Sequence, residues 1–213
     1  MKVYTCTDSR GITLGPKTTW ISLLKEQHKD IDIIYNPGWG SFGTLNHYLP
    51  VFEREKDFFD VTIIQLGYHD YCIPWIASFF QGLEDYDPDY KNHLIKFEDG
   101  YIGPTFFKNT YRYRNDEAIK HMFSLYRKKT KKLLWLSLPY QWEEFLEQTK
   151  VVNELFGSCC DESVILPMDP DFPRRCTFNC GIDKVHYLDF YNQEIANMVY
   201  EKLKTMEVNL ESS

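Results

Sequence analysis

Five short apolar runs punctuate the chain: KVYTC (2–6), IDIIYN (31–36), VTIIQLG (61–67), KLLWLSLP (132–139) and SVILPMD (163–169). Each is rich in β-branched residues or leucine and is apolar nearly throughout. That is the pattern of strands buried on both faces, as in a parallel sheet. Between the runs, apolar positions recur at helical spacing instead. TTWISLLKEQHK (18–29) gathers Trp20, Leu23, Leu24 and His28 on one face. GTLNHYLPVFEREK (43–56) gathers Leu45, Tyr48, Leu49 and Phe52, and Pro50 is expected to kink that helix unless the helix starts there. Helices are also predicted over DEAIKHMFSLYRK (116–128), WEEFLEQTKVVNELF (142–156) and LDFYNQEIANMVYEKLKTM (188–206). The last places Ile195, Met198, Val199 and Leu203 at helical spacing. Strands alternating with helices predict an α/β fold around a five-stranded, mostly parallel sheet with right-handed crossovers.

Two stretches depart from the rhythm. Residues 84–115 carry many Tyr and Phe, two Gly and two Pro, with little clean periodicity. A stretch of this length inside a compact domain is expected to be functional or mobile, here as a cap or an oligomer contact inserted after the third strand. The tail EVNLESS (207–213) is expected to fray. With 213 residues, the chain suits one domain spanning 1–213, able to bury roughly 70% of its unfolded surface without staples.

Charge and cysteine content narrow the partners. A net charge of −7, with YRKKTKK (126–132) as the one basic tract and a solvated helix end as its simplest reading, argues against nucleic-acid binding. The amino terminus lacks the apolar core of a signal peptide, and no run of about 18 apolar residues predicts a membrane span. The expected setting is cytoplasmic, with the six cysteines as reduced thiols. Cys159–Cys160 and Cys176-x3-Cys180 lack the two-residue spacing usual in zinc sites, so no metal and no cofactor are expected.

In a parallel sheet, ligands gather beyond the carboxyl ends of the strands. Asp8 and Ser9 follow the first run, in TCTDSRG, with Gly11 expected to permit the turn. The glycine-rich NPGWGSFG (36–43) follows the second, GYHDY (67–71) the third, and DKVHYLD (183–189) precedes the final helix. Singly, these have plain structural readings: a helix cap or turn for Asp8-Ser9, a tight turn for the glycines, a helix start for Asp183 and a packed core imidazole for His186. Together they fit acyl transfer. Ser9 needs a base to become nucleophilic, His186 can take its proton, and Asp183 can fix the imidazole tautomer. The oxyanion then needs donors, available from backbone N–H groups at Ser9 and in 38–43 and from the side chain of His69.

In this order, the motifs resemble those of the SGNH hydrolases, the GDSL-type esterase/lipase superfamily. Ser9 in TDSRG matches the family nucleophile, Asp183 and His186 match its carboxy-terminal Asp-x-x-His, and GYHD (67–70) matches its third block. The resemblance implies a flavodoxin-like, three-layer α/β/α fold. Three positions depart from the pattern. Thr7 replaces the Gly before Asp-Ser. The oxyanion glycine is Gly40 in the preferred register, with Gly43 and then Gly38 as alternatives. His69 stands where the family has Asn, and an imidazole N–H can donate in place of the amide, with a different reach. Asp70 is assigned to holding the loop.

The leading expectation is a serine esterase hydrolysing a short acyl ester, such as acetyl, on a carbohydrate or small metabolite. Trp39, Tyr68, Tyr71 and Trp75 flank the proposed site and can stack on sugar rings, although core or cap packing explains them equally well. Two alternatives stay open: an acyltransferase to a sugar or polysaccharide hydroxyl using the same residues, and a non-catalytic binding protein on the same fold, favoured by His69.

Overall fold

The structure is a computed structural model that describes residues 1–7, 11, 18–35, 45–66, 72–73, 88–102, 105–113, 115–139, 146–166, 187 and 189–211. In chain order the elements are β1 (Lys2–Thr7), α1 (Trp20–Gln27), β2 (Asp32–Tyr35), α2 (Leu45–Arg54), β3 (Phe59–Gln65), β4 (Cys72–Ile73), β5 (Leu94–Ile102), β6 (Thr105–Tyr113), α3 (Asp116–Tyr126), β7 (Thr130–Leu136), α4 (Leu146–Cys159), β8 (Glu162–Val164) and α5 (Asp189–Glu211). The five apolar runs all become strands of one sheet, ordered β2-β1-β3-β7-β8. Every pairing in it is parallel.

The near-continuous apolar character of these strands has a direct cause, because successive side chains point to opposite faces and both faces are covered. On β7, Leu133 and Trp135 join one core and Leu134 and Leu136 the other. On β3, Ile64 and Ile63 divide the same way. Helices α2, α3 and α4 close the first core, with Tyr48, Phe52, Phe123 and Phe156 buried in it. Helices α1 and α5 close the second, through Trp20, Leu24, Tyr191, Ile195 and Leu203. The result is the expected three-layer α/β/α architecture.

Local chemistry sets the helix starts. Thr19 caps α1 in a reciprocal box: its Oγ1 accepts from the Ser22 amide at 3.1 Å, and Ser22 Oγ accepts from the Thr19 amide at 2.9 Å. Asn115 caps α3 through Oδ1, which accepts from the Ala118 amide at 3.1 Å. Asp116 and Glu117 follow in the first turn, where the helix dipole favours negative charge.

Pro50 neither starts α2 nor ends it but sits inside the helix. It is exposed, while Leu45, Tyr48, Leu49 and Phe52 are fully buried. Tertiary packing of that apolar face outweighs the hydrogen bond that proline cannot make. The tail also differs from expectation, since α5 runs on to Glu211. Met206 is buried in the second core, and Lys204 pairs with Glu207 at 2.5 Å.

Residues 84–115 contain regular structure. β5 and β6, nine residues each, pair antiparallel from Leu94↔Tyr113 to Ile102↔Thr105. β4 adds to β6 through Cys72↔Arg112 and Ile73↔Tyr111, making a three-stranded sheet. Sequence periodicity missed it because Lys, Asp and Asn interrupt the aromatic and β-branched positions. The Gly-Pro pair at 103–104, between two such stretches, is the turn signal that could have found it.

Candidate active site

All the sequence-nominated site residues, Ser9, Trp39, Gly40, Tyr68, His69, Tyr71, Asp183 and His186, lie outside the described residues, as do Gly38, Gly43, Asp70 and Trp75. The described residues supply the frame from which those segments leave and to which they return.

The strands preceding the first three candidate segments are neighbours, with β1 between β2 and β3. Thr5 of β1 pairs with Tyr35, the last residue of β2, and Thr7 pairs with Gln65, the last residue of β3. Ser9 is two residues beyond Thr7 in sequence, and the GYHD segment begins two beyond Gln65.

Thr7 is fully buried, and its carbonyl accepts a 2.5 Å hydrogen bond from the Tyr48 hydroxyl, which ties the end of β1 to α2. The chain returns against the same residue at Gly11. A Cβ on Gly11 would stand 2.0 Å from Thr7 Oγ1 and 2.8 Å from Ile21 Cδ1. Glycine is needed here for close approach rather than for a left-handed backbone. Thr7 and Gly11, the residues on either side of 8–10, are therefore packed against each other.

The other anchored point is Tyr187, the residue after His186. Its hydroxyl accepts from Gln65 Nε2 at 2.9 Å, and Gln65 Oε1 accepts from the Trp20 indole at 3.2 Å. Asn192 in the first turn of α5 donates to the Tyr187 carbonyl at 3.3 Å and to the Thr18 carbonyl at 3.1 Å, and its Oδ1 accepts from the Trp20 amide at 2.9 Å. Asp189 Oδ1 accepts from both the amide and the hydroxyl of Thr18 at 3.1 Å. Gln65, Tyr187 and Asn192 were not singled out from sequence. Their signal was a glutamine inside the otherwise apolar VTIIQLG, a residue type seldom buried without partners.

On the far side, the Leu166 amide donates to Ser137 Oγ at 2.7 Å, fixing the exits of β7 and β8 together. Asn153 brackets Leu138, accepting from its amide at 2.7 Å and donating to its carbonyl at 2.9 Å.

The thiols of Cys6, Cys159 and Cys160 are poor competitors for a nucleophilic role. Cys6, one residue before Thr7, is fully buried, and burial pushes its thiol well above the ordinary range despite an opposing hydrogen bond with Tyr126. Burial likewise raises Cys159 and Cys160. All three are free. Among the described residues, no three His, Cys, Asp or Glu side chains gather as a metal site, and no helix is long and apolar enough to cross a membrane. Cys176 and Cys180 lie outside the described residues.

No family model matches the sequence, and no curated protein does. Solved structures do match in three dimensions. A psychrotrophic esterase, EstA from Pseudoalteromonas sp., aligns with a TM-score of 0.58 over 96% of this chain and 97% of its own, at 12% identity. TesA aligns at 0.56 over 97% and 99%, with 14% identity. A variant of Axe2, an acetyl xylan esterase from Geobacillus stearothermophilus, aligns at 0.54 over 94% and 93%, with 12% identity. The chain shares the overall fold of these three proteins. That fold covers nearly the whole chain, at an identity too low to transfer any residue's role.

Proposed function

We propose that this chain is a serine esterase of SGNH type acting on a short acyl ester, with acetyl on a carbohydrate as the preferred class. One observation carries the reading. The strands leading to the three candidate loops lie side by side as β2-β1-β3, and Tyr187, next to His186, is hydrogen-bonded to the last residue of β3. The described residues that border the four candidate segments, Thr7, Tyr35, Leu66 and Tyr187, support this reading, because ligands of α/β folds bind beyond the carboxyl ends of the strands.

In this reading, Ser9 Oγ attacks the ester carbonyl carbon while one ring nitrogen of His186 takes the hydroxyl proton. Asp183 accepts the other ring N–H and stabilises the imidazolium. The oxyanion is held by the Ser9 and Gly40 amides and by an N–H of His69. Collapse breaks the bond to the alcohol oxygen, which leaves with the proton from His186. Water, deprotonated by His186, then attacks the acyl-enzyme and releases the acid and free Ser9. Trp39, Tyr68 and Tyr71 offer rings to stack on a sugar, and the β4-β6-β5 sheet is assigned the role of a cap. The chemistry draws on no cofactor. The fold shared with an acetyl xylan esterase supports the choice of substrate class.

A phosphonate ester with a good leaving group tests the reading by imitating the tetrahedral intermediate. The expected result is one adduct per chain, mapped by peptide mass to Ser9 and absent from Ser9→Ala. Labelling elsewhere, or none in folded protein, would overturn it.

A further inference from the structure

β8 is the last strand of the parallel sheet, paired with β7 on one side and with no strand on the other among the described residues. The chain stays beside β7 as far as Leu166, whose amide donates to Ser137 Oγ at 2.7 Å. The run ESVIL (162–166) holds neither Pro nor Lys, the residues that commonly blunt a sheet edge. Its one charge, Glu162, is met by Lys202 of α5 at 3.1 Å. Beside this edge runs a groove of about 380 Å³, lined by Val164 and Ile165 together with Met198 and Lys202. Ile165 is 62% and Met198 37% exposed, so apolar surface in the groove is open to water.

The charges around the groove come in matched pairs. Lys202 offsets Glu162, and Arg127 offsets Asp161 at 2.9 Å just before β8, while Glu201 adds one acid. The chain as a whole carries −7, so two copies repel on average, whereas a patch of matched pairs can set each anion against a cation. A two-fold contact needs a surface that complements itself. A strand edge beside an apolar groove, bounded by one carboxylate and one ammonium, meets that requirement.

We propose that β8 pairs with β8 of a second copy of this chain about a two-fold axis, joining the two five-stranded sheets edge to edge. Main-chain hydrogen bonds supply the attraction in such a pairing, and flanking side chains supply its specificity. In an antiparallel register centred on Ser163, Glu162 of one copy lies opposite Val164 of the other. Glu162 and Val164 sit beside Leu134 and Leu136 of β7, and both leucines belong to the core under α1 and α5. The pairing therefore turns Glu162 toward α5 of the second copy and its Lys202, and it covers Ile165 and Met198 of both.

Sedimentation velocity over micromolar concentrations tests this on the intact chain and on Glu162→Lys, Lys202→Glu and Ile165→Asp. None of these residues belongs to the proposed catalytic site, and none is buried, so each variant is expected to fold, which circular dichroism checks. Wild type is expected to sediment at twice the 25.4 kDa of one chain. Each variant alone is expected at the mass of one chain. Like charges at 162 and 202 oppose each other across the axis in the first two, and a carboxylate interrupts the apolar contact in the third. Mixing Glu162→Lys with Lys202→Glu is expected to restore the dimer, because each lysine at the contact then meets a glutamate. A pair that served only to hold β8 to α5 within one chain would give no such rescue. A monomeric wild type, a dimer that survives in any single variant, or a mixture that stays monomeric would each overturn the proposal. Ester hydrolysis has no part in the test, so its outcome is independent of the esterase reading.

Discussion

Gly11 has no room for a side chain. A methyl group there would meet Thr7 Oγ1 at 2.0 Å, and Thr7 cannot yield because it is fully buried between paired strands. Gly11→Ala is expected to destabilise the protein by about 1–3 kcal/mol, the usual scale for overpacking, and to lower turnover by disturbing the loop that carries Ser9. Urea denaturation measures the first effect and ester hydrolysis the second. Thr7 Oγ1 has no hydrogen-bond partner, so adding Thr7→Ala should remove the worst contact and recover part of the urea midpoint, with Ile21 Cδ1 at 2.8 Å and the Cβ of residue 7 at 2.9 Å still crowding the new methyl group. His69 is the other residue with a sharp expectation. As an oxyanion donor its loss in His69→Ala should lower kcat about 10²- to 10³-fold while leaving the urea midpoint unchanged. Unaltered kcat would remove it from the oxyanion hole.

The strands divide labour between their two ends. At the amino ends, Asp60 of β3 accepts from the Lys2 amide at 2.8 Å and from Lys131 Nζ at 2.7 Å, which ties β3 to β1 and β7. Burial opposes ionisation of Asp60, but these two donors outweigh it and hold the carboxyl below its usual range. A carboxyl with a depressed folded-state pKa contributes stability above its unfolded value, near 3.9, and loses that contribution as pH falls through the folded value. Asp60→Asn should therefore cost about 1 kcal/mol at neutral pH, the scale of a partly exposed charged hydrogen bond. The difference from wild type should vanish in acid, and urea curves at neutral and acidic pH check this.

At the carboxyl ends the chain turns polar, and that contrast is what made the fold readable. Among the described residues, the five strands of the parallel sheet and the five α-helices announced themselves because both faces of the sheet are covered, so apolar periodicity survives in nearly every one of them. β5 and β6 did not, since charged residues interrupt their pattern, and the length of α5 was underestimated because burial of Met206 continues it past the last clear apolar repeat. The candidate residues were nominated for a different reason, that acyl transfer demands a fixed set of residue types at strand ends, and they lie outside the described residues. The ring of Gln65, Trp20, Asn192 and Tyr187 was not, because its members come from four separate segments and only the fold brings them together.

Taken whole, the molecule is a sheet buried on both faces, held at its amino ends by charge pairs and at its carboxyl ends by buried amides and hydroxyls. Rigid strand ends are the support that the proposed nucleophile, base and oxyanion donors would need to stay in register. The β4-β6-β5 sheet is antiparallel and comes from a stretch outside the strand–helix alternation, which suits a cap that selects the alcohol portion of an ester without taking part in the chemistry. The decisive test compares hydrolysis of p-nitrophenyl acetate by the wild-type protein and by Ser9→Ala, both shown to be folded. A serine esterase predicts turnover in the wild type that falls on the order of 10⁴-fold or more in the variant. Equal rates in the two proteins, or none in either, would contradict a nucleophilic Ser9 and leave the fold in service of binding.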